Sequence, residues 1–350
     1  QRTAVGRVLS SLFTTYKKSF LLLVTITYTV LVLFSLFNYK QHCIFTHPET
    51  LLHYDLLPHD KAYEYCQINW NNLGVRHVEM FRDLSEKELI DRYPFVREGG
   101  KWKPEKCRSV QKVAIIIPYR DRGHHLRLLL NRLHPMLRSQ LIQYRIFVVE
   151  QGGKENFNRG KLMNVGFNEA LNYENFDCFI FHDVDMLPEN DQNLYICDEN
   201  LRQLSSAIDE MRYHVMYYNY AGGVIAMKRE VFRKINGYAN TYWGWGNEDD
   251  DISARAMESG LLLTRPPEHI GRVKMVRHKK ESRAEEGYGR FDGWRGRWLT
   301  DGLNNPRTLN YSVISKSNKP LYTHILVNVG LEKHNSIHPE QDTTKESTFW

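Results

Sequence analysis

The chain has 350 residues, and 42% of them are hydrophobic, enough to fill the core of one large domain or of two small ones. Its formal net charge is +6, and basic residues near the start, Arg2, Arg7, Lys17 and Lys18, supply four of those charges. The remainder is close to neutral, so the charge balance does not indicate a nucleic-acid partner. The cysteines include no Cys-x-x-Cys pair, which argues against a zinc ribbon.

An uncharged, apolar run from Ser19 to Phe37 follows these basic residues. Nineteen residues in a helix span roughly 28 Å, enough for the hydrocarbon core of a thin bilayer. Because the run is apolar on all faces and no small-residue cleavage site follows it, we expect a single transmembrane helix at 19–37 rather than a buried helix or a cleaved signal peptide. The positive-inside rule then predicts a cytosolic tail at 1–18, a lumenal stem at 38–65 and a lumenal domain at 66–350.

The predicted lumenal location permits two covalent modifications. Disulfides form in such compartments, and Cys43, close to the apolar run, is the expected unpaired cysteine. Sequence order favours the bridges Cys66–Cys107 and Cys178–Cys197, although spacing leaves other pairings open. Asn310 begins the one Asn-x-Ser/Thr sequence in the chain, so it is a candidate glycosylation site.

Strand-like and helix-like segments alternate from Val113 onward. The hydrophobic patterns predict strands at 113–118, 145–150 and 178–181, and helices at 125–137 and 160–171. This alternation predicts an α/β fold with a parallel sheet covered by helices. No Gly-x-Gly-x-x-Gly sequence follows the first strand and no Walker A motif occurs, which argues against dinucleotide redox chemistry and P-loop hydrolysis.

Charged residues follow two of these predicted strands, at the edge where ligands bind in open α/β sheets. Arg120 and Arg122 can hold a phosphate or a carboxylate, although two arginines can equally form a surface ion-pair cluster. Asp183-Val184-Asp185 follows the third strand, and its alternating side chains would let one carboxylate reach a metal ion while the other braces the loop or a sugar. An isolated Asp-x-Asp is mostly solvated surface, but its position after an apolar strand favours the metal interpretation.

Met275 and His278 add two possible metal ligands. Carboxylate and imidazole suit divalent first-row ions, and a soft thioether fits Mn²⁺ better than Mg²⁺. Taken alone, such a methionine is more typical of a core and such a histidine of a surface. The polar, glycine-rich segment 277–298 predicts a long flexible loop with His278 at its root, which can close over a bound substrate.

The stretch from Tyr242 to Asp251 has the most unusual composition. Trp243 and Trp245 stand among glycines and predict a mobile loop whose indole rings stack on sugar rings. The four consecutive acids Glu248–Asp251 repel one another, which raises the pKa of some of them and suits a general base. A solvated acidic turn or a helix N-terminus is the alternative interpretation.

In this order, these motifs resemble those of the β-1,4-galactosyltransferase family of Golgi type II membrane proteins, over about 66–331. The motifs that carry the resemblance are Pro118–Arg122, Phe157–Arg159, Phe181–Asp185, Gly222–Val224, Trp243–Asp251, Met275–His278 and Asp301–Asn304. The resemblance implies a GT-A-type, Rossmann-like mixed sheet with flanking helices, preceded by a single transmembrane helix. It also implies the disulfides Cys66–Cys107 and Cys178–Cys197, and it makes 66–350 the catalytic domain.

The resemblance assigns roles to individual residues. The UDP-sugar site would comprise Pro118, Arg120, Arg122, Phe157, Asn158, Arg159, Val184, Asp185, Tyr220, Trp245 and His278. The Mn²⁺ ligands would be Asp185, Met275 and His278. The acceptor-binding residues would be Asn247, Glu248, Asp249, Asp250 and Arg290. Asp249 would be the catalytic base, with Glu248 beside it.

The implied reaction is an inverting transfer at the Golgi membrane. The 4-hydroxyl of a terminal sugar on a glycoprotein or glycolipid, with N-acetylglucosamine as the expected sugar, would attack UDP-galactose and give a β-1,4 linkage. In the family, a tyrosine at the position of Tyr220 tends to favour galactose, because its bulk leaves little room for an N-acetyl group. Ala221 would open space nearby, so a β-1,4-N-acetylgalactosaminyltransferase using UDP-GalNAc is the alternative. A non-catalytic sugar-binding membrane protein would require a broken metal or base position, and none is found.

Overall fold

The computed structural model describes residues 16–33, 43–52, 64–278 and 291–331. Its first element is α1 (Tyr16–Leu33), which is unburied, has a mean hydropathy of 1.4 and by length and composition is able to cross a membrane. Three threonine hydroxyls within it donate to carbonyls four residues earlier, at 2.7 to 2.9 Å. The helix itself therefore supplies the hydrogen-bond partners of these polar groups. Residues 34–37 of the predicted span, the tail at 1–15 and much of the predicted stem lie outside the described residues.

Strands and short helices alternate through the rest of the described chain. The strands are β1 (Cys43–Phe45), β2 (Lys101–Trp102), β3 (Lys112–Tyr119), β4 (Gln143–Gln151), β5 (Cys178–His182), β6 (Met186–Pro188), β7 (Leu201–Gln203), β8 (Ala207–Ile208), β9 (Val224–Lys228), β10 (Leu263–Arg265), β11 (Arg272–Met275), β12 (Ser312–Asn318) and β13 (Thr323–Asn328). The further helices are α2 (Glu86–Arg92), α3 (Gly123–Ser139), α4 (Arg159–Leu171), α5 (Arg229–Lys234), α6 (Glu248–Glu258) and α7 (Trp294–Arg297). The predicted strands and helices between 113 and 181 are confirmed as β3, α3, β4, α4 and β5, each slightly longer than its pattern.

One mixed sheet has the strand order β1-β10-β7-β9-β5-β3-β4-β13-β12, with β2 also paired to β4. Its centre is parallel, as predicted, because β3 pairs in parallel with both β4 and β5. The sheet becomes mixed where β9 joins β5 and where β12 joins β13, both antiparallel. A second, three-stranded sheet has the order β6-β11-β8. The expected mixed α/β architecture is therefore confirmed.

Helices cover both faces of the sheet centre, because alternate residues of β3 point to opposite sides. Ile115 and Ile117 share an apolar cluster with Leu129 and Leu133 of α3. Ile116 belongs to the cluster on the other face, which includes the apolar residues of α4. All five side chains are fully buried. The sheet is thus held between α3 and α4, and its carboxyl edge stays open for a site.

Both disulfides implied by the family resemblance are present. The Cα atoms of Cys66 and Cys107 are 4.9 Å apart, and those of Cys178 and Cys197 are 5.5 Å apart. The second bridge ties the first residue of β5 to the segment before β7, which fixes the strand that leads to Asp183. Asn310 is exposed shortly before β12, a position accessible to the predicted glycan.

The close approach of α4 to the sheet predicts the effect of one methyl group. A Cβ added to Gly166 would lie 2.2 Å from Ile116 Cγ2 and 3.0 Å from Val149 Cγ2, both on buried strand residues. We therefore expect Gly166→Ala to lower the free energy of unfolding by about 1–3 kcal/mol, in spite of the higher helix propensity of alanine. Chemical unfolding of the variant and the wild-type protein measures this difference.

Gly296→Ala in α7 is the matched control, because a Cβ there meets no atom within 4 Å. The free energy of unfolding of this variant should stay equal or rise by up to about 1 kcal/mol. A Gly166 variant as stable as the wild-type protein would contradict the packing of α4 against β3.

Candidate active site

A cavity of about 470 Å³ lies at the carboxyl edge of the parallel strands, where β3 and β5 end. The predicted UDP-sugar residues that line it are Pro118, Arg120, Arg122, Phe157, Arg159, Val184, Asp185, Tyr220, Trp245 and His278. The predicted acceptor and metal residues that line it are Asn247, Glu248, Asp249, Asp250 and Met275. The fold therefore gathers most of the predicted site, from segments far apart in the chain, around one cavity.

One predicted site residue, Asn158, is described by the structure but does not line the cavity. The side chain of Asn158 is fully buried, where its amide donates to Asn240 O at 2.7 Å and its Oδ1 accepts from the amide of Lys161. Asn158 thereby caps α4 and positions the first residue of that helix, Arg159. A contact between Asn158 and UDP stays a prediction. Arg290 lies outside the described residues, so its predicted contact with the acceptor stays a prediction as well.

The two aspartates that follow β5 have different partners. Asp183 Oδ1 accepts a hydrogen bond from Arg159 Nε at 2.6 Å. Asp185 Oδ2 lies 2.9 Å from His278 Nε2. Asp183 and Asp185 therefore serve different ends of the cavity: the Asp183 carboxylate is held by an arginine, and the Asp185 carboxylate lies beside an imidazole.

The small sheet brings the predicted metal ligands together. β11 pairs antiparallel with β6, and the amide of Val276 donates to Asp185 O at 2.8 Å, which places Met275 and His278 beside Asp185. Two ligands at right angles, each about 2.1 Å from a cation, lie about 3 Å apart, so the Asp185–His278 pair fits a divalent first-row ion. The described part of the chain contains no group of three Asp, Glu, His or Cys side chains placed to hold a metal. Met275 and a bound substrate would therefore have to complete the coordination.

Arg159 is the central cation of the cavity. Its guanidinium lies 2.6 Å from Asp183 Oδ1, 2.7 Å from Asp249 Oδ1 and 3.5 Å from Glu248 Oε1. Burial by itself lowers the pKa of Arg159, but the neighbouring carboxylates outweigh this effect and hold the pKa well above its ordinary value. Arg159 Nη2 is buried with no hydrogen-bond partner among the residues that the structure describes.

Two of the carboxylates around Arg159, those of Asp183 and Asp249, have raised pKa values because they are largely buried and close to other acids. Burial raises the pKa of Asp183 to about 6, against the lowering effect of Arg159. Burial also raises the pKa of Asp249 well above its ordinary value, and the negative charge of Glu248 adds to the rise while Arg159 opposes it. A carboxylate with a raised pKa accepts a proton more readily, as a general base must.

The acidic segment forms the first turn of α6, where negative side chains interact favourably with the helix dipole. Glu248–Asp250 line the cavity, and Asp250 Oδ1 accepts a hydrogen bond from the Tyr217 hydroxyl at 2.5 Å. Asp251 instead turns into the core, where it is fully buried and forms an ion pair with Arg255. The segment is therefore both a helix N-terminus and a cavity wall, and Asp251 belongs to the helix alone.

The loop before α6 has an unusual backbone. φ is +75° at Gly244, +108° at Gly246 and +74° at Asn247. Glycine adopts such values freely, whereas Asn247 holds a left-handed conformation that few side chains favour. The amide of Gly244 donates to Phe157 O at 2.9 Å, and Trp245 stays 48% exposed at the cavity mouth. The turn thus presents an indole ring to whatever occupies the cavity.

Tyr220 lies beside the candidate base. A Cβ at Gly222 would be 2.3 Å from the Tyr220 hydroxyl and 2.8 Å from Asp249 Oδ2, so a glycine is needed between them. The rings of Tyr217 and Tyr220 meet edge to face, with 5.4 Å between their centroids. Ala221 is fully buried in the apolar core and does not line the cavity. The small side chain at this position therefore does not widen the cavity beside Tyr220, although the sequence led us to expect that it would.

Several residues at this site are not predicted by the sequence patterns. Those that line the cavity include Met186, Glu210, Met211, Met216 and Tyr217. His125, in the first turn of α3, lies against His278, with 6.0 Å between the ring centroids. The available sequence signals were the histidine pair His124-His125, which follows Arg122 and Gly123, and a tyrosine three residues before Tyr220. Neither signal is specific without the tertiary contact.

Two protein-family models match the chain. The N-terminal region of glycosyl transferase group 7 matches residues 66–198, and the N-terminal domain of galactosyltransferase matches residues 202–279. The chain is 44% identical to β-1,4-galactosyltransferase 3 of Homo sapiens over 249 residues, which cover 70% of this chain and 63% of that protein. It is 39% identical to β-1,4-galactosyltransferase 4 of Cricetulus griseus over 282 residues, which cover 80% of this chain and 81% of that protein.

The fold also resembles a solved structure, the catalytic domain of Drosophila β-1,4-galactosyltransferase 7 in complex with xylobiose. The TM-score is 0.54 at 27% identity, over 63% of this chain and 95% of that one. The chain spans less than two thirds of the length of some relatives, such as 62% of β-1,4-galactosyltransferase 3 of Bos taurus. Because the two family models match in succession and a relative is matched over most of its length, the chain belongs to the β-1,4-galactosyltransferase family.

Proposed function

We propose that the protein is a membrane-anchored β-1,4-galactosyltransferase that uses Mn²⁺ and moves galactose from UDP-galactose to the 4-hydroxyl of a terminal N-acetylglucosamine. The observation that carries the proposal is that one cavity contains both a candidate base, Asp249, and a candidate metal pair, Asp185 and His278. The names of the relatives support galactose transfer. A mutant of the Drosophila β-1,4-galactosyltransferase 7 crystallised with manganese, UDP-Gal and xylobiose, which supports the same donor and metal here.

The donor end of the cavity suits a nucleoside diphosphate sugar. Arg120 donates to Glu155 O at 2.6 Å, and its guanidinium lies over the Phe157 ring at 5.3 Å, which holds it toward the cavity. Arg120 and Arg122 are then placed to bind phosphate oxygens by charge-assisted hydrogen bonds. The residues that would hold Mn²⁺ are Asp185, Met275 and His278. A bound Mn²⁺ supplies positive charge that stabilises the departing diphosphate.

Asp249 is the proposed base. As the acceptor oxygen bonds to C1 of galactose, the bond from C1 to UDP breaks with its electron pair on UDP, and the hydroxyl proton passes to Asp249. Attack from the face opposite UDP converts the α linkage of the donor into a β linkage. Arg159 already donates to Asp249 Oδ1, which leaves Oδ2, the oxygen near Gly222 and Tyr220, to receive the proton.

Tyr220 supports galactose as the transferred sugar. Its ring is held between Tyr217 and the base, in a position where its bulk disfavours a donor that carries an N-acetyl group. Transfer of N-acetylgalactosamine is the alternative, and donor competition separates the two. The helix α1 supports anchoring as a type II protein of the Golgi membrane, with acceptors on glycoproteins or glycolipids.

The test uses the full chain solubilised in detergent, with UDP-galactose and UDP-N-acetylgalactosamine each offered to N-acetylglucosamine, glucose and xylose acceptors. We expect the highest rate of UDP release with UDP-galactose and N-acetylglucosamine, and we expect it to require added Mn²⁺. Asp249→Asn should lower kcat by at least about a hundredfold while UDP binding persists, because the amide oxygen can still accept the hydrogen bond from Arg159 but the side chain cannot take the proton.

The outcomes of this test are distinct. A higher rate with UDP-N-acetylgalactosamine would identify the alternative donor. No UDP release with any pair of donor and acceptor in the presence of Mn²⁺ would refute a transferase.

The pH dependence of kcat provides a second test. Only deprotonated Asp249 accepts a proton, so kcat should fall as the pH drops through its pKa, which burial and Glu248 hold above the ordinary 3.8. This fall is the acid limb of the pH profile of kcat. Glu248→Gln removes a nearby negative charge, so it should lower the pKa of Asp249 and move the acid limb to lower pH. Asp250→Asn should move the limb in the same direction by less, because Asp250 contributes less to the rise. An acid limb that stays in place or moves upward in Glu248→Gln would exclude this role for Glu248.

A further inference from the structure

His125 lies directly behind His278, a candidate metal ligand. The two rings meet edge to face, with 6.0 Å between their centroids and 73° between their planes. Aromatic rings attract one another at this distance and angle. His125 is in the first turn of α3, and the next residue, Leu126, is part of the apolar core. The ring that touches His278 therefore stands on a rigid helix.

His278 itself has little support from regular structure. It lies three residues beyond the end of β11 at Met275, outside the ladder with β6. To bind a metal it must keep Nε2 directed toward Asp185 Oδ2, at the observed 2.9 Å. A ligand ring that rotates away loses the metal bond, so contacts on the ring matter for affinity.

His125 contacts His278 by packing of the two rings and not through a hydrogen bond from Nε2. His125 Nε2 is buried and has no hydrogen-bond partner within the described ranges. A buried nitrogen without a partner is unfavourable, so hydrogen bonding by this atom does not account for an aromatic ring at this position. The packing of the ring against His278 does.

We propose that His125 is a positioning residue, whose ring holds the His278 imidazole in the orientation that binds the metal. This inference rests on the proposed Mn²⁺ site. It requires an aromatic ring at position 125 and does not require the imidazole nitrogens, which distinguishes positioning from metal ligation by His125.

The test measures the affinity of the full chain in detergent for Mn²⁺ alone, by electron paramagnetic resonance of the free ion. We expect His125→Ala to weaken Mn²⁺ binding by about two- to tenfold, the value of one edge-to-face ring contact. His125→Phe should stay within about twofold of the wild-type affinity, because it restores the ring. His124→Ala is the matched control: the His124 ring contacts His125 and Asp83, one ring further from the proposed ligand, so the loss of Mn²⁺ affinity should be smaller than in His125→Ala.

Thermal unfolding without metal shows whether each variant is folded. An unaltered affinity in His125→Ala would overturn the inference while leaving the metal site intact. A folded His125→Phe variant as weak as His125→Ala would also overturn it, because the nitrogens and not the ring would then be needed. Failure of the wild-type protein to bind Mn²⁺ would overturn both the proposed metal site and this inference.

Discussion

Arg159 joins two separate parts of the chain at the centre of the cavity. Through Asp183 it holds the end of β5, and through Asp249 it holds the start of α6, at 2.6 and 2.7 Å. Three largely buried carboxylates in one place would repel one another, and a buried charge is stable only when it is paired. The guanidinium is thus the interaction that allows the strand end and the helix start to share one cavity. Gly160 lets the start of α4 lie close to the backbone at Ala239, since a Cβ at position 160 would be 2.7 Å from Ala239 O.

The two ends of the cavity depend on this pairing in different ways. Because Asp183 is held by Arg159, the backbone of the Asp-Val-Asp segment is fixed and Asp185 is left to face His278. Because Asp249 Oδ1 is also held by Arg159, its other oxygen faces the space near Tyr220. A single arginine therefore orients the proposed metal end and the proposed base at once.

The acidic segment shows how one run of like residues is divided among tasks. A helix turns by about 100° per residue, so consecutive acids cannot all face the same side. Asp251 points into the core and pairs with Arg255, which anchors α6. Asp250 points to Tyr217, at the other wall of the cavity. The repulsion that the sequence suggests is relieved by these separate partners, except near Asp249, where burial raises the pKa most and the charge of Glu248 adds to the rise.

The sequence by itself determined the alternation of β3, α3, β4, α4 and β5, the apolar helix α1 and the position of charged residues after strands, because these follow from the local period of apolar residues. The family resemblance added the identities of most residues that line the cavity. Only the tertiary structure decided that Arg159 bridges Asp183 and Asp249, that Asp251 turns inward, and that His125 stands behind His278. The contacts of Arg159 and of His125 join residues distant in the chain, whereas Asp251 pairs with Arg255 four residues away and is turned inward by the packing of α6. All of them depend on how antiparallel β9 and the small sheet are placed beside the parallel core, which no local pattern specifies.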